Sequence, residues 1–229
     1  MARTTSRSPA PRTPAPPTPA PEPDPACPHC PRLVAFRTAN QAQYPGWHNG
    51  PVASFGDLDA RLLIVGLAPG LQGANKTGRP FTGDYAGDLL YATLAKFGFT
   101  QGVYAARPDD GMTLRNAMIT NAVRCVPPQN KPTPAEITTC RAYLQGRIEA
   151  LPKLTHLLAL GRIAHDSLVR MGGYRLADYP FAHARRHALG SLTLYDSYHC
   201  SRYNTNTGRL TAKMFEQVFA HITDDLSTL

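Results

Sequence analysis

Four side chains in this sequence could do chemistry together: the carboxyl of Asp84, the amide of Asn121, the imidazole of His199 and the ring of Phe81. A carboxylate, an amide and an imidazole beside an aromatic face suit recognition of a planar heterocycle, with acid–base or electrostatic work on it. Each also has an ordinary use: Asp84 as a helix N-cap, Asn121 at a strand end, His199 as a hydrogen-bonded structural histidine. The cysteines form a second group. Cys27 and Cys30 make a Cys-Pro-His-Cys pair, Cys125 and Cys140 lie far downstream, and Cys200 stands alone beside His199. Two near and two distant cysteines suit structural zinc or an iron–sulfur cluster about equally, and His29 inside the pair permits a zinc variant.

The elements that must position these residues are readable from apolar pattern. Leu62–Val65 reads as a fully buried strand, and Leu89–Phe97 has the spacing of a helix. From Gly66 to Asp84 runs a loop with five glycines, two prolines and Phe81. It is far longer than the roughly 2–6 residues of an ordinary βα connection. Glycines let backbone approach a ligand closely, so the loop reads as a site. Three further apolar runs, 117–123, 155–161 and 192–198, read as strands. Helices are expected over 33–41, from Thr133 with Pro134 to about Leu151, over Arg162–Met171, and from about Arg209 to Ile222. Strands alternating with helices predict an α/β fold with a mostly parallel sheet of four strands. The strand ends of such a sheet share one edge, which would bring Asp84, Asn121 and His199 around one pocket.

The chain has 229 residues and 22 prolines, nine of them within residues 1–26. That segment reads as a disordered, proline-rich tail, leaving 27–229 as one globular domain. The net charge is +8, a modest argument for a polyanionic partner. No run resembles a signal peptide or a membrane span, so a cytoplasmic setting is expected, where clustered cysteines favour metal over disulfide. No Gly-x-Gly-x-x-Gly or Walker pattern follows the first strand, which argues against a Rossmann-type nucleotide enzyme.

Gly66-Leu67-Ala68-Pro69-Gly70, the run Thr77-Gly78-Arg79-Pro80-Phe81-Thr82-Gly83-Asp84, the run from Thr120 through Asn121 to Pro128, and His199-Cys200-Ser201 resemble, in order, the motifs of family 5 uracil-DNA glycosylases. These are the type-B, iron–sulfur members of the uracil-DNA glycosylase superfamily. The resemblance spans Cys27 to Ile222. It implies a three-layer fold around the four-stranded sheet and a monomer that excises uracil from DNA. Hydroxymethyluracil and hypoxanthine would be further substrates. By the same resemblance Phe81 would stack on the extruded base, and the backbone at Gly66, Leu67 and Ala68 would line its pocket. His199 would stabilise charge on the leaving base, Asp84 would support the attacking water or the sugar cation, and Asn121 would assist. Cys27, Cys30, Cys125 and Cys140 would hold a structural 4Fe–4S cluster, with no metal in the chemistry. The stretch from Ser201, Arg202, Tyr203 and Asn204 to Arg209 has the polar and aromatic content of an element wedged into DNA, and it could equally be a plain connection. Arg124, Lys131 and Arg141 would meet phosphates. The family usually has proline where Cys200 stands. Cys200 is excluded from the cluster because it sits at the catalytic edge. Two alternatives remain: a family 4 enzyme of narrow specificity, which would have Glu at Leu67, and a metal-bound DNA-binding module without activity.

Overall fold

The computed structural model describes residues 21–228. In chain order its elements are α1 (Pro31–Gln43), β1 (Phe55–Gly56), β2 (Leu62–Gly66), α2 (Ala74–Thr77), α3 (Tyr85–Lys96), β3 (Thr100–Gln101), β4 (Thr113–Leu114) and β5 (Ala117–Asn121). There follow α4 (Pro134–Glu149), β6 (His156–Leu160), α5 (Arg162–Met171), β7 (Arg186–Leu189), β8 (Leu192–Ser197), α6 (Arg202–Asn206) and α7 (Ala212–Ser227).

The four apolar runs form the parallel centre of the sheet, in the order β5-β2-β6-β8. The sheet itself has six strands, which corrects the expectation of four. The two-residue β1 pairs antiparallel with β5, and β7 pairs antiparallel with β8, so an antiparallel strand closes each edge. Alternating side chains split the core into two layers, as the period of a strand dictates. Leu62, Ile64, Ile119 and Leu158 face α3 and α7, where Leu90, Phe215 and Phe219 pack. Leu63, Val65, Met118 and Leu157 face α4 and α5, meeting Leu144 and Leu168. The result is the three-layer α/β arrangement.

Helix starts follow local chemistry. α4 opens with a capping box in which Thr133 and Glu136 satisfy each other's backbone, followed by Pro134. α3 opens on Asp84 and α7 on Thr211, each accepting a backbone N–H three residues on. The wedge-like stretch after Ser201 contains the short α6, and the last helix begins at Ala212 rather than Arg209. Residues 21–26, grouped with the tail by composition, pack onto the domain. The Glu22 carboxylate accepts from buried Arg124 at 2.7 Å and from Arg147 at 2.6 Å. Residues 1–20 of the expected tail lie outside the described residues.

Candidate active site

In the sheet register Gly66 pairs with Asn121, and Leu160 with Ser197, which aligns the carboxyl ends of the parallel strands. A cavity of about 580 Å³ opens on that edge, a size suited to a small ligand. Leu67, Ala68, Phe81, Asp84, Asn121 and His199 all line it. Gly66 does not. It lies beneath, where a Cβ would come within 2.6 Å of Phe81 Cζ and collide with Asn121 Oδ1. Only glycine lets ring and amide sit that close to the strand end.

Phe81 is buried and holds its backbone at φ 53°, the left-handed region that bulky residues avoid. Its ring lies nearly parallel to the His199 imidazole, with centroids 5.8 Å apart. Asp84 fills two of its readings at once. Oδ1 caps α3 by accepting the Gly87 N–H at 3.1 Å, while Oδ2 points towards Gly73 and towards Gly70, which lines the cavity. Burial raises its pKa above the usual carboxylate value, against the pull of the capping N–H groups. Asn121 is 2% exposed, and its Oδ1 is buried with no hydrogen-bond partner among the described residues. The same holds for His199 Nδ1. Buried polar atoms are normally paired, so two orphans on residues that line one cavity mark where a ligand would be read. Burial pushes the His199 pKa down to about 4, which keeps the imidazole neutral near pH 7.

The expected DNA contacts divide. Ser201 and Arg202 line the cavity mouth, with the Arg202 guanidinium 5.2 Å from the Tyr85 ring. Tyr203 is 73% exposed. Asn204 is committed elsewhere: its Nδ2 donates to the His199 carbonyl at 2.8 Å and steadies the histidine. Arg209 stacks on Tyr198 at 4.6 Å, away from the cavity lining. Arg124 is wholly buried under Glu22 and cannot reach a phosphate, which corrects that expectation. Cys200 is also buried and donates to the Ala86 carbonyl, so it braces the histidine loop against α3.

Sequence reasoning missed Gln72, Tyr85 and Asn130 on the cavity. Asn130 follows Gln129, and both hold left-handed backbone, at φ 56° and 55°. The signal was present in an asparagine set among Pro127, Pro128 and Pro132, since asparagine visits that region readily.

The family model described as the uracil DNA glycosylase superfamily matches residues 53–223. The chain belongs to that superfamily. It is 44% identical over 200 residues to the type-5 uracil-DNA glycosylase of Thermus thermophilus, covering 84% of this chain and 90% of that protein. It is 37% identical over 207 residues to the type-5 uracil-DNA glycosylase of Pyrobaculum aerophilum, covering 89% and 90%. A type-4 uracil-DNA glycosylase of the same organism is 33% identical over only 130 residues, 56% of this chain. The near full-length match to type-5 members upholds the family 5 resemblance over the family 4 alternative.

The family implies an iron–sulfur cluster, and the donor set can be tested against it. Cys27, Cys30, Cys125 and Cys140 line one cavity with Leu33, Arg37, Val123 and Tyr143. The Arg124 N–H donates to Cys140 Sγ at 3.3 Å, and the Tyr143 hydroxyl lies 3.7 Å from Cys27 Sγ. Burial, then the neighbouring cysteines, push the Cys125 thiol up to about 12; burial is also the main cause at Cys140, at about 11. Thiols raised in this way ionise together only around a cation. Among the described residues no three cysteine sulfurs lie within 4.8 Å of one another. Four cysteines on one cavity are the donor set a bound metal group needs, so the residues present fit one.

Proposed function

We propose that this chain is a monofunctional glycosylase that hydrolyses the N-glycosidic bond of uracil in DNA. The observation that carries the reading is the meeting of Asp84 Oδ2 with the orphaned Asn121 Oδ1 and His199 Nδ1 around one cavity walled by Phe81. Cleaving the bond leaves positive charge on the sugar and negative charge on the base. The base must first leave the helical stack, at a cost of a few kcal/mol that stacking on Phe81 partly offsets. Asn121 offers its amide to the hydrogen-bonding edge of the base. A neutral His199 donates to the base oxygen on which negative charge collects, without carrying a charge into the ground state. Asp84 Oδ2 steadies the sugar cation and orients the water that attacks C1′. That water's oxygen bonds to the sugar as the base departs with the bonding electrons, and a proton from the water is released.

Hydroxymethyluracil and hypoxanthine are proposed as further substrates. A cavity of about 580 Å³ whose Leu67 and Ala68 side bears no carboxylate has room for a larger base and little to reject it. Tyr203, exposed and next in sequence to the cavity-lining Arg202, is the residue proposed to fill the gap left in the duplex, with Arg202 on an adjoining phosphate. The four cysteines are proposed to hold a 4Fe–4S cluster that ties the N-terminal segment to the 125–140 region and takes no part in the cleavage.

The test is a single-turnover assay on end-labelled duplexes carrying uracil, hydroxymethyluracil or hypoxanthine, in EDTA. Abasic-site formation from uracil is the expected result. No abasic product from any of the three overturns the enzyme reading. Product from uracil alone restricts it to narrow specificity. Iron and sulfide analysis of the purified brown protein tests the cluster, and a colourless zinc protein would refute it.

A further inference from the structure

Phe81 is the side chain whose conformation most needs explaining. A bulky residue at φ 53° costs energy, so something outside the residue must impose it. The structure shows what does. Arg79, two residues earlier, is 5% exposed. Its guanidinium makes a bidentate pair with Asp110, at 2.8 and 2.7 Å, and its Nε donates to Thr82 Oγ1 at 2.8 Å. The same cation lies 5.1 to 5.6 Å from the rings of Phe55, Tyr91 and Tyr104.

Two of those rings then grip the backbone of the strained residue. The Tyr91 hydroxyl donates to the Pro80 carbonyl at 2.8 Å, and the Tyr104 hydroxyl donates to the Phe81 carbonyl at 3.3 Å. Gly87 completes the seat, since any Cβ there would collide with the Phe81 carbonyl. Asp110 belongs to the connection between β3 and β4, and it also accepts the N–H groups of Ala105 and Met112, at 2.9 and 3.0 Å. The hairpin carries no residue of the cavity lining, yet it anchors the cation around which the Phe81 turn is wound.

We infer that Arg79, clamped by Asp110 and capped by Tyr104, is a positioning residue that holds Phe81 in its left-handed conformation and so aims its ring into the cavity. The inference rests on the reading of Phe81 as the ring that stacks on the base. Arg79 is suited to the role because a planar guanidinium can pair in plane with a carboxylate while offering its faces to aromatic rings. Lysine cannot do both.

The experiment is a set of variants: Tyr104→Phe, which keeps the ring and loses only the hydroxyl; Asp110→Asn, which keeps shape and loses charge; and each of these combined with Phe81→Ala. In the wild-type background Asp110→Asn should lower the single-turnover rate on uracil duplex about tenfold, the scale of one misplaced base–aromatic stack. Tyr104→Phe should lower it a few-fold, and both should leave affinity for a tetrahydrofuran-containing duplex unchanged. In the Phe81→Ala background both should have no further effect on the rate, because the residue they act through is gone. Additive losses in that background would overturn the inference, since they would mean a general structural role. A crystal structure of the Asp110→Asn protein gives a readout independent of chemistry: Phe81 should leave the left-handed region, and an unchanged φ would overturn the inference even if wild-type protein released no uracil. A Phe81→Ala protein with wild-type rate would instead refute the stacking reading alone.

Discussion

Asp84 carries two duties on two oxygens. Its Oδ1 satisfies the Gly87 N–H at the start of α3, and its Oδ2 faces the cavity wall. Asparagine caps a helix about as well as aspartate, whereas alanine costs about 1 kcal/mol at such a position. Asp84→Asn should therefore melt close to wild type yet lose most of its cleavage rate, and Asp84→Ala should lose both. Thermal melts beside single-turnover rates separate the two duties. The pH profile follows from the same burial. The Asp84 pKa is raised, so its carboxylate forms only above the ordinary value of 3.8, and the rate should climb with pH through that higher midpoint. His199, held down to about 4, is neutral throughout the physiological range. A profile in which Asp84→Asn keeps the same acid limb would assign it to another group. At this scale the sequence was informative wherever one residue type has few uses: a glycine-rich loop after a buried strand, an aspartate before a helix, a histidine ending another strand. It was silent on Phe81's backbone, because no local pattern encodes a conformation imposed from residue 110.

Among the elements, the four apolar runs were legible because a strand buried on both faces needs unbroken hydrophobic sequence. The edge strands were not. β1 has two residues, and β7 reads Arg-His-Ala-Leu, held by side chains as much as by pattern. Asp196 on β8 accepts His165 Nδ1 at 2.7 Å and His187 Nε2 at 3.1 Å, while His165 Nε2 donates to the Tyr179 carbonyl at 2.7 Å. With a carboxylate on one side and a carbonyl on the other, both His165 nitrogens must donate, so the ring is a buried imidazolium pinning the segment before β7 to α5. Burial opposes that charge, but the hydrogen bond and charge of Asp196 outweigh it and the pKa is raised. A raised folded-state pKa gives stability that is complete below about 6.5 and is lost as pH rises through the higher folded value. Urea unfolding measured across that range should show the decline in wild type and a flatter curve in His165→Gln. His165→Ala should cost about 1–3 kcal/mol, because Asp196 loses its shortest partner and keeps only His187 and the Ala182 N–H. A pH-independent stability in wild type would show that His165 is neutral.

On the scale of the whole molecule, the base cavity and the cysteine cavity share a wall. Ala68 lines the first and packs with Leu33, Val123 and Cys140, which border the second. Behind that wall lies Arg124, a full charge 1% exposed, whose Nη1 donates to Glu22 at 2.7 Å and to Ser54 Oγ at 2.9 Å. Glu22 also binds Arg147 on α4, so one carboxylate joins the N-terminal segment, the loop after β5 and α4. Composition placed Glu22 in the tail because it sits among prolines, and composition cannot see a buried arginine a hundred residues away that requires an anion. Removing Glu22 leaves Arg124 desolvated and short of its counter-charge, a loss of about 1–3 kcal/mol for a carboxylate that is itself partly exposed. Glu22→Gln keeps the shape and the hydrogen-bonding reach, so any damage reports the charge. The expected outcome is a protein that folds, melts several degrees lower, and loses the iron of the proposed cluster to a chelator faster than wild type, because Pro23 beside Glu22 borders the cysteine cavity. Base excision by freshly purified Glu22→Gln protein should start near the wild-type rate and decay in step with iron loss, since the shared wall at Ala68 slackens only as the cysteines come apart. Excision that outlasts the iron would show that the two cavities share a wall without sharing a fate.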